Sequence, residues 1–120
     1  MISNSYPTLD FDLGETAEML RDSVSSFVSD ELAPRAAEND KTDQFPMDMW
    51  KKFGDMGLLG ITVEEEYGGA AMGYLEHALA MAEFSLACAS VGLRHGAHST
   101  VFATSCRRTD PDSAHTRYTP

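Results

Sequence analysis

Apolar residues recur at steps of three and four along most of the chain. Ala17, Leu20, Val24, Phe27, Val28 and Leu32 form one stripe, while Glu18, Arg21, Asp22, Ser25 and Ser29 fall on the opposite side and are expected to face water. That is the pattern of a helix with one face on a core. An extended lead-in is expected over residues 1 to 12. Asp12 and Glu15 then have the D-x-x-E spacing in which each side chain satisfies a free backbone N–H at a helix start. Pro34 removes a backbone donor and should bend or end this helix, leaving Arg35 to Asp40 as a short second piece.

Asp43-Gln44-Phe45-Pro46 is a second start signal, because proline's fixed φ suits a first helical turn; Met47, Trp50, Phe53 and Met56 follow at helical intervals and Gly57 supplies the stop. Leu58 to Val63 is too short for a buried helix and predicts an extended, buried connector or one short strand. A long helix is expected from about Gly73 to Cys88, with Tyr74, Ala78, Met81, Ala82 and Ser85 giving a face of mostly small residues where another helix can approach closely. A further helix from Ser90 through "GLRHGAHSTVFATSC" is intrinsically weak, since it holds two glycines and several Ser and Thr. Pro111-Asp112 would open one last turn. The fold class read from this pattern is all-α, a helical bundle of five to six helices in one domain over residues 1–120.

Composition narrows the function more by exclusion than by suggestion. The net charge is −10, from 9 basic and 19 acidic residues, which argues against nucleic-acid binding. The charge is uneven, −12 over residues 1–93 and +2 over 94–120, so an anionic ligand or partner is expected nearer the C-terminal end. No stretch approaches the ~20 apolar residues of a membrane span, and the N-terminus lacks both a signal peptide's apolar run and an Arg-rich transit segment. A bacterial cytoplasm is therefore expected, with a mitochondrial matrix as the alternative. Cys88 and Cys106 have no CxxC or metal-ligand spacing and are expected as reduced interior thiols.

The stretch "EEEYGGAAMG" holds the most tempting chemistry. Adjacent Glu64, Glu65 and Glu66 point in different directions and do not form a facing acid–base pair, so a solvated charge run is favoured. Gly68-Gly69 matches neither GxGxxG nor GxxxxGK[ST], and upstream acids would repel a phosphate; a tight turn passing close to a neighbouring backbone is favoured over a phosphate cradle. His95 and His98 are three apart but have no third ligand at a compatible step, and Ser99 lacks the G-x-S-x-G surroundings of a nucleophile. No catalytic or metal residue is assigned from this pattern.

Six short stretches in order, APRAAE, FP, GLLGI, EEYGG, GYLEH and GAHS, resemble the N-terminal domain of the flavin-dependent acyl-CoA dehydrogenases, above all their isovaleryl-CoA branch. The resemblance covers nearly the whole chain. It implies a larger enzyme in which this helical domain is followed by a β-domain and a C-terminal four-helix domain absent here, with FAD bound mainly by those missing parts and the acyl-CoA thioester between them. It implies α,β-dehydrogenation, in which a glutamate outside this chain takes the α-proton, a hydride passes to the flavin and electrons leave through an electron-transferring flavoprotein. A homo-oligomer is expected at full length. The resemblance places Leu93 and Gly96 of "VGLRHGAHS" on the acyl-pocket wall, Leu93 as an aliphatic surface and Gly96 as opened space, which would suit a short branched acyl group. No catalytic, flavin-binding or metal residue is implied within these 120 positions. The alternative is a truncated or diverged non-catalytic helical module that associates with intact subunits. Three departures stand out: Glu64 where the family usually has Pro, Ala71 where it often has Gly, and Arg94-His95 in place of the Ser-Tyr of the isovaleryl branch.

Overall fold

The computed structural model describes residues 11–109. Most of the expected lead-in over 1–12 and the turn expected at Pro111-Asp112 lie outside the described residues. Within them there is no β-strand. Six α-helical segments, α1 (Glu15–Phe27), α2 (Ala36–Thr42), α3 (Met47–Asp55), α4 (Tyr74–Ala87), α5 (Ala89–Gly96) and α6 (Thr104–Thr109), make up the fold. They merge into four continuous rods, because a π-helical stretch over Val28–Leu32 and a 3₁₀ turn over Ala33–Arg35 join α1 to α2, and a second π stretch over Ala97–Ala103 joins α5 to α6. Pro34 thus re-spaces the helix instead of ending it: the wider π turn just before the proline and the tighter 3₁₀ turn around it absorb the missing donor. The weakness expected after Ser90 takes the same form, as π spacing with no break.

The α1 stripe is as expected. Ala17, Val24, Val28 and Leu32 are buried, and Leu20 and Phe27 pack partly against them. The start is not. Gly14, at φ 99°, is the N-cap and has no side chain to bond, and Asp12, two residues earlier, sits at φ 49°, so Asp12 and Glu15 do not stand at the two positions of a capping box. Arg21 is also not left to water, because its Nε donates to Glu83 Oε1 at 3.2 Å, tying α1 to α4.

In α3 the buried pair is Met49 and Phe53, whereas Met47 and Met56 of the expected register are exposed and Trp50 is half-buried. Both registers contain Phe53, and the four-residue step wins because Met49 and Phe53 then reach the same core as Val24, Leu32 and Phe84. The stop is as read, with Gly57 at φ 74° just past the helix. Arg35 clamps α3 by two parallel bonds, at 2.7 and 2.9 Å, to the Asp48 carboxylate, which holds that carboxyl below its usual range.

The 58–63 connector is buried at Leu58, Ile61 and Val63 but is a series of turns, not a strand. Its carbonyls are taken by the following loop: Ala70, Ala71 and Met72 donate to Gly60, Val63 and Ile61. α4 begins after Gly73, whose N–H the Glu76 carboxylate accepts at 3.0 Å, and packs between α1 and α5. Its buried face is His77, Ala80, Glu83 and Phe84. The face expected to pack, with Tyr74, Ala78, Met81, Ala82 and Ser85, is mostly exposed and touches α5 only along its edge. Cys88, in extended geometry, makes the corner into α5. Cys88 and Cys106 are free thiols and buried.

Candidate functional site

The loop that raised the question of phosphate or acid chemistry is closed on itself. Every backbone N–H from Tyr67 to Met72 is donated to a carbonyl between Gly60 and Glu65: Tyr67 and Gly69 to Glu64, Gly68 to Glu65, and the next three to the connector. A phosphate cradle needs free, converging N–H groups, and this loop has spent them. A Cβ at residue 69 would lie 2.1 Å from the Val63 carbonyl oxygen, so Gly69 is there because backbone passes against backbone. Glu65 and Glu66 are exposed on a single 3₁₀ turn, with Glu64 half-buried before it. The stretch is a joint between the buried connector and α4.

α5 carries Leu93 and Gly96, the two residues that the resemblance assigns to an acyl wall. Leu93 is 72% exposed. Gly96 is buried, and the volume a side chain would take is held by Met81 of α4, whose Sδ lies 2.8 Å from where a Cβ would stand. Gly92, one turn earlier, lies so close to Ser85 that a Cβ would come 2.1 Å from its Oγ. Gly92 and Gly96 therefore let α5 lie against the edge of α4, with Leu93 turned outward beside that edge. Arg94 is exposed and stacks its guanidinium on the Phe45 ring, 4.4 Å from the centroid, so its charge keeps a route to solvent.

Outward from this edge, α4 presents Tyr74, Leu75, Ala78, Met81, Ala82, Ser85 and Leu86, all exposed and none charged. An uncharged helix face of this size is one that ordinarily meets another apolar surface. Val101 and Phe102, in the π stretch beyond α5, are exposed too.

The inner face of α5 holds what the sequence did not disclose. His95 is fully buried, and its Nε2–H donates to the Leu58 carbonyl at 2.7 Å. Its ring stacks on buried His77 of α4, centroids 5.2 Å apart and planes 26° from parallel, with Phe53 and Phe84 around it. Burial pushes the His95 pKa down to about 4, the Leu58 carbonyl only partly offsetting it, and burial lowers His77 and His98 as well. His98 faces elsewhere, edge-on to Trp50. Among the described residues no group of three or more His, Cys, Asp or Glu could hold a metal ion. Ser99 is buried, with its Oγ lacking a protein partner. The one sequence signal for His95 was its standing where the isovaleryl branch has an aromatic Tyr.

A flavin tests the described residues severely. Two open clefts, about 170 Å³ beside Arg94 and Phe45 and about 270 Å³ beside Cys88 and Ala89, are small for a dinucleotide, and Asp40 lines both. With the glycine loop's amides already bonded, these residues do not by themselves fit FAD.

Comparison with known proteins agrees with this all-helical character. The family described as "Acyl-CoA dehydrogenase, N-terminal domain" matches residues 14–118, and the chain belongs to the acyl-CoA dehydrogenase family. Its relatives include the mitochondrial isovaleryl-CoA dehydrogenase of Solanum tuberosum, 42% identical over 108 residues that make up 88% of this chain and 26% of that protein. That of Pongo abelii is 40% identical over 110 residues, 90% of this chain and 26% of its own length. A solved chain from a structure described as the electron transferring flavoprotein of Acidaminococcus fermentans superposes with a TM-score of 0.85 at 30% identity, covering 92% of this chain and 29% of that one. The chain thus spans about a quarter of the length of these relatives. Among the described residues no helix is long and apolar enough to cross a membrane.

Proposed function

We propose that this domain forms one wall of the acyl pocket of a flavin-dependent dehydrogenase that desaturates a short branched acyl-CoA, isovaleryl-CoA or a close analogue. The observation that carries the reading is the uncharged outer face of α4 with exposed Leu93 alongside it. So much uncovered apolar surface is costly in water and calls for more protein, for ligand, or for both. FAD, which supplies the hydride acceptor, and the catalytic base belong to polypeptide beyond this chain. So does most of the CoA contact.

In this reading Leu93 supplies an aliphatic surface to the acyl chain. Gly96 sets the depth of the wall by admitting the Met81 thioether where a larger residue would displace it. Each methylene of misfit is worth about 1–3 kcal/mol, enough to favour a branched five-carbon group over its neighbours without strict exclusion. Electron-transferring flavoprotein is the electron acceptor this assignment requires, in a bacterial cytoplasm or a mitochondrial matrix. The same uncovered face supports a second reading, a non-catalytic module that docks on intact subunits.

The test has two arms. Titrated with FAD and followed by flavin fluorescence, the 120-residue chain is expected to show no stoichiometric tight binding. Joined to the two further domains of the potato enzyme, it is expected to restore bound flavin and oxidation of isovaleryl-CoA. A chain that turns yellow alone and oxidises the thioester overturns the assignment; a fusion that folds and holds flavin but does not turn over favours the docking module.

A further inference from the structure

His95 lies where three elements meet: α5, the 58–63 connector through the Leu58 carbonyl, and α4 through the stacked His77 ring. The Leu58 bond requires the proton on Nε2, which leaves Nδ1 bare, and Nδ1 has no protein partner. His77 is 4% exposed with neither nitrogen partnered. We propose that this stacked imidazole pair is an acid-sensitive latch that holds α5 against the connector while both rings are neutral and releases it when they take up protons.

Beyond the Leu58 carbonyl, which offsets burial only in part, no acceptor or opposite charge among the described residues supports a cation on His95. A proton on His95 Nδ1 would be a buried charge on a ring packed against Phe53 of α3 and Phe84 of α4. The titratable groups that act on it are His77 from α4 and His98 from the π stretch, and both are positive when protonated; the connector contributes only the Leu58 carbonyl. With ring centroids 5.2 Å apart, two charged imidazoles repel.

The sign follows from the direction of the shift. In the open state the imidazole regains an ordinary value near 6.5, while in the closed state burial holds it at about 4. The latch is at full strength above pH 6.5, weakens as pH falls from there toward 4, and weakens no further below. His77, lowered in the same direction, steepens the response. Because α5 carries Leu93 and Gly96, acid would also loosen the wall assigned above; that consequence rests on the acyl-pocket reading, whereas the latch does not.

Amide hydrogen exchange on the full 120-residue chain, corrected for intrinsic rates, reads the latch directly. The opening constant of residues 89–96 is expected to rise on the order of 50- to 100-fold between pH 8 and pH 4.5, from the two protonation constants of one imidazole, while α1 changes far less. In His95→Gln the side-chain amide still donates to Leu58 but does not titrate, and the rise should shrink to a few-fold. Should that variant fail to fold, NMR titration of the imidazoles in the unaltered chain decides: a folded-state His95 that titrates at 6.5 or above overturns the latch. So does an α5 opening constant that is flat with pH, or one that rises equally in every helix.

Discussion

Two places in this molecule depend on glycine for close approach, and they differ in what is approached. At Gly69 the neighbour is the Val63 backbone, with the carbonyl oxygen 2.1 Å and its carbon 2.4 Å from a would-be Cβ. At Gly92 and Gly96 the nearest atoms are side-chain ends, the Ser85 hydroxyl and the Met81 sulfur. A side chain can change rotamer at a cost near 1 kcal/mol, but the Val63 carbonyl cannot move without disturbing the bond it accepts from Ala71, one of three by which 70–72 hold 60–63. The loop is therefore rigid joinery, and the α4–α5 edge is the adjustable part.

The comparison is broken first at Gly69. Gly69→Ala is expected to destabilise the chain by about 3–5 kcal/mol, the range reached when backbone must shift or buried bonds are lost, read by urea unfolding at pH 7.5. A loss under about 1 kcal/mol would mean the loop yields as easily as a helix edge. Gly92→Ala should cost less, about 1–2 kcal/mol. The Ser85 hydroxyl, which now donates to the Met81 carbonyl, can turn away, but Ser85 Cα and Cβ remain 3.1 Å from the new methyl, so the helices must part slightly. Alanine's better helix propensity offsets part of that.

The loop also predicts a gain. Ala71, where the family often has glycine, sits at φ 51°, a left-handed conformation that costs a residue with a Cβ about 1–2 kcal/mol. Ala71→Gly should raise stability by roughly 1 kcal/mol, the relief exceeding the extra unfolded-state entropy of glycine. A lower midpoint in urea would show that the Ala71 methyl makes contacts worth more than its strain.

How much of this was legible depended on whether the signal was local. Gly57, Pro34 and the Gly68-Gly69 turn each act through their own backbone, and the sequence placed all three, although Pro34 reshaped a helix instead of ending it. The Asp12–Glu15 box failed for a local reason as well: with Asp12 at φ 49° and Gly14 at φ 99°, the chain enters the helix through a left-handed bend that the spacing alone did not reveal. Faces were harder. α4 buries the face that carries His77 and Glu83 and exposes the one of Met81 and Leu86, so periodicity could not say which side the core would take, and α3 offered two registers sharing Phe53. His95 was hidden because its partner, the Leu58 carbonyl, lies 37 residues away and carries no side-chain signature.

The finest test of the comparison is at Gly96. Alanine there gains up to about 1 kcal/mol of helix propensity over glycine, against a contact of 2.8 Å with Met81 Sδ that must be relieved. Met81 is 38% exposed and unbranched, so its sulfur can swing outward with little lost packing. The two effects should nearly cancel, leaving Gly96→Ala within about 1 kcal/mol of the parent chain. Combined with Met81→Ala, which vacates the space, the substitution should become a net gain of up to about 1 kcal/mol relative to Met81→Ala alone, as helix propensity then acts unopposed. A double-mutant cycle in urea measures that coupling. A coupling near zero would mean that Met81 does not press on position 96, and the depth of the proposed acyl wall would then have to be set by something other than the thioether.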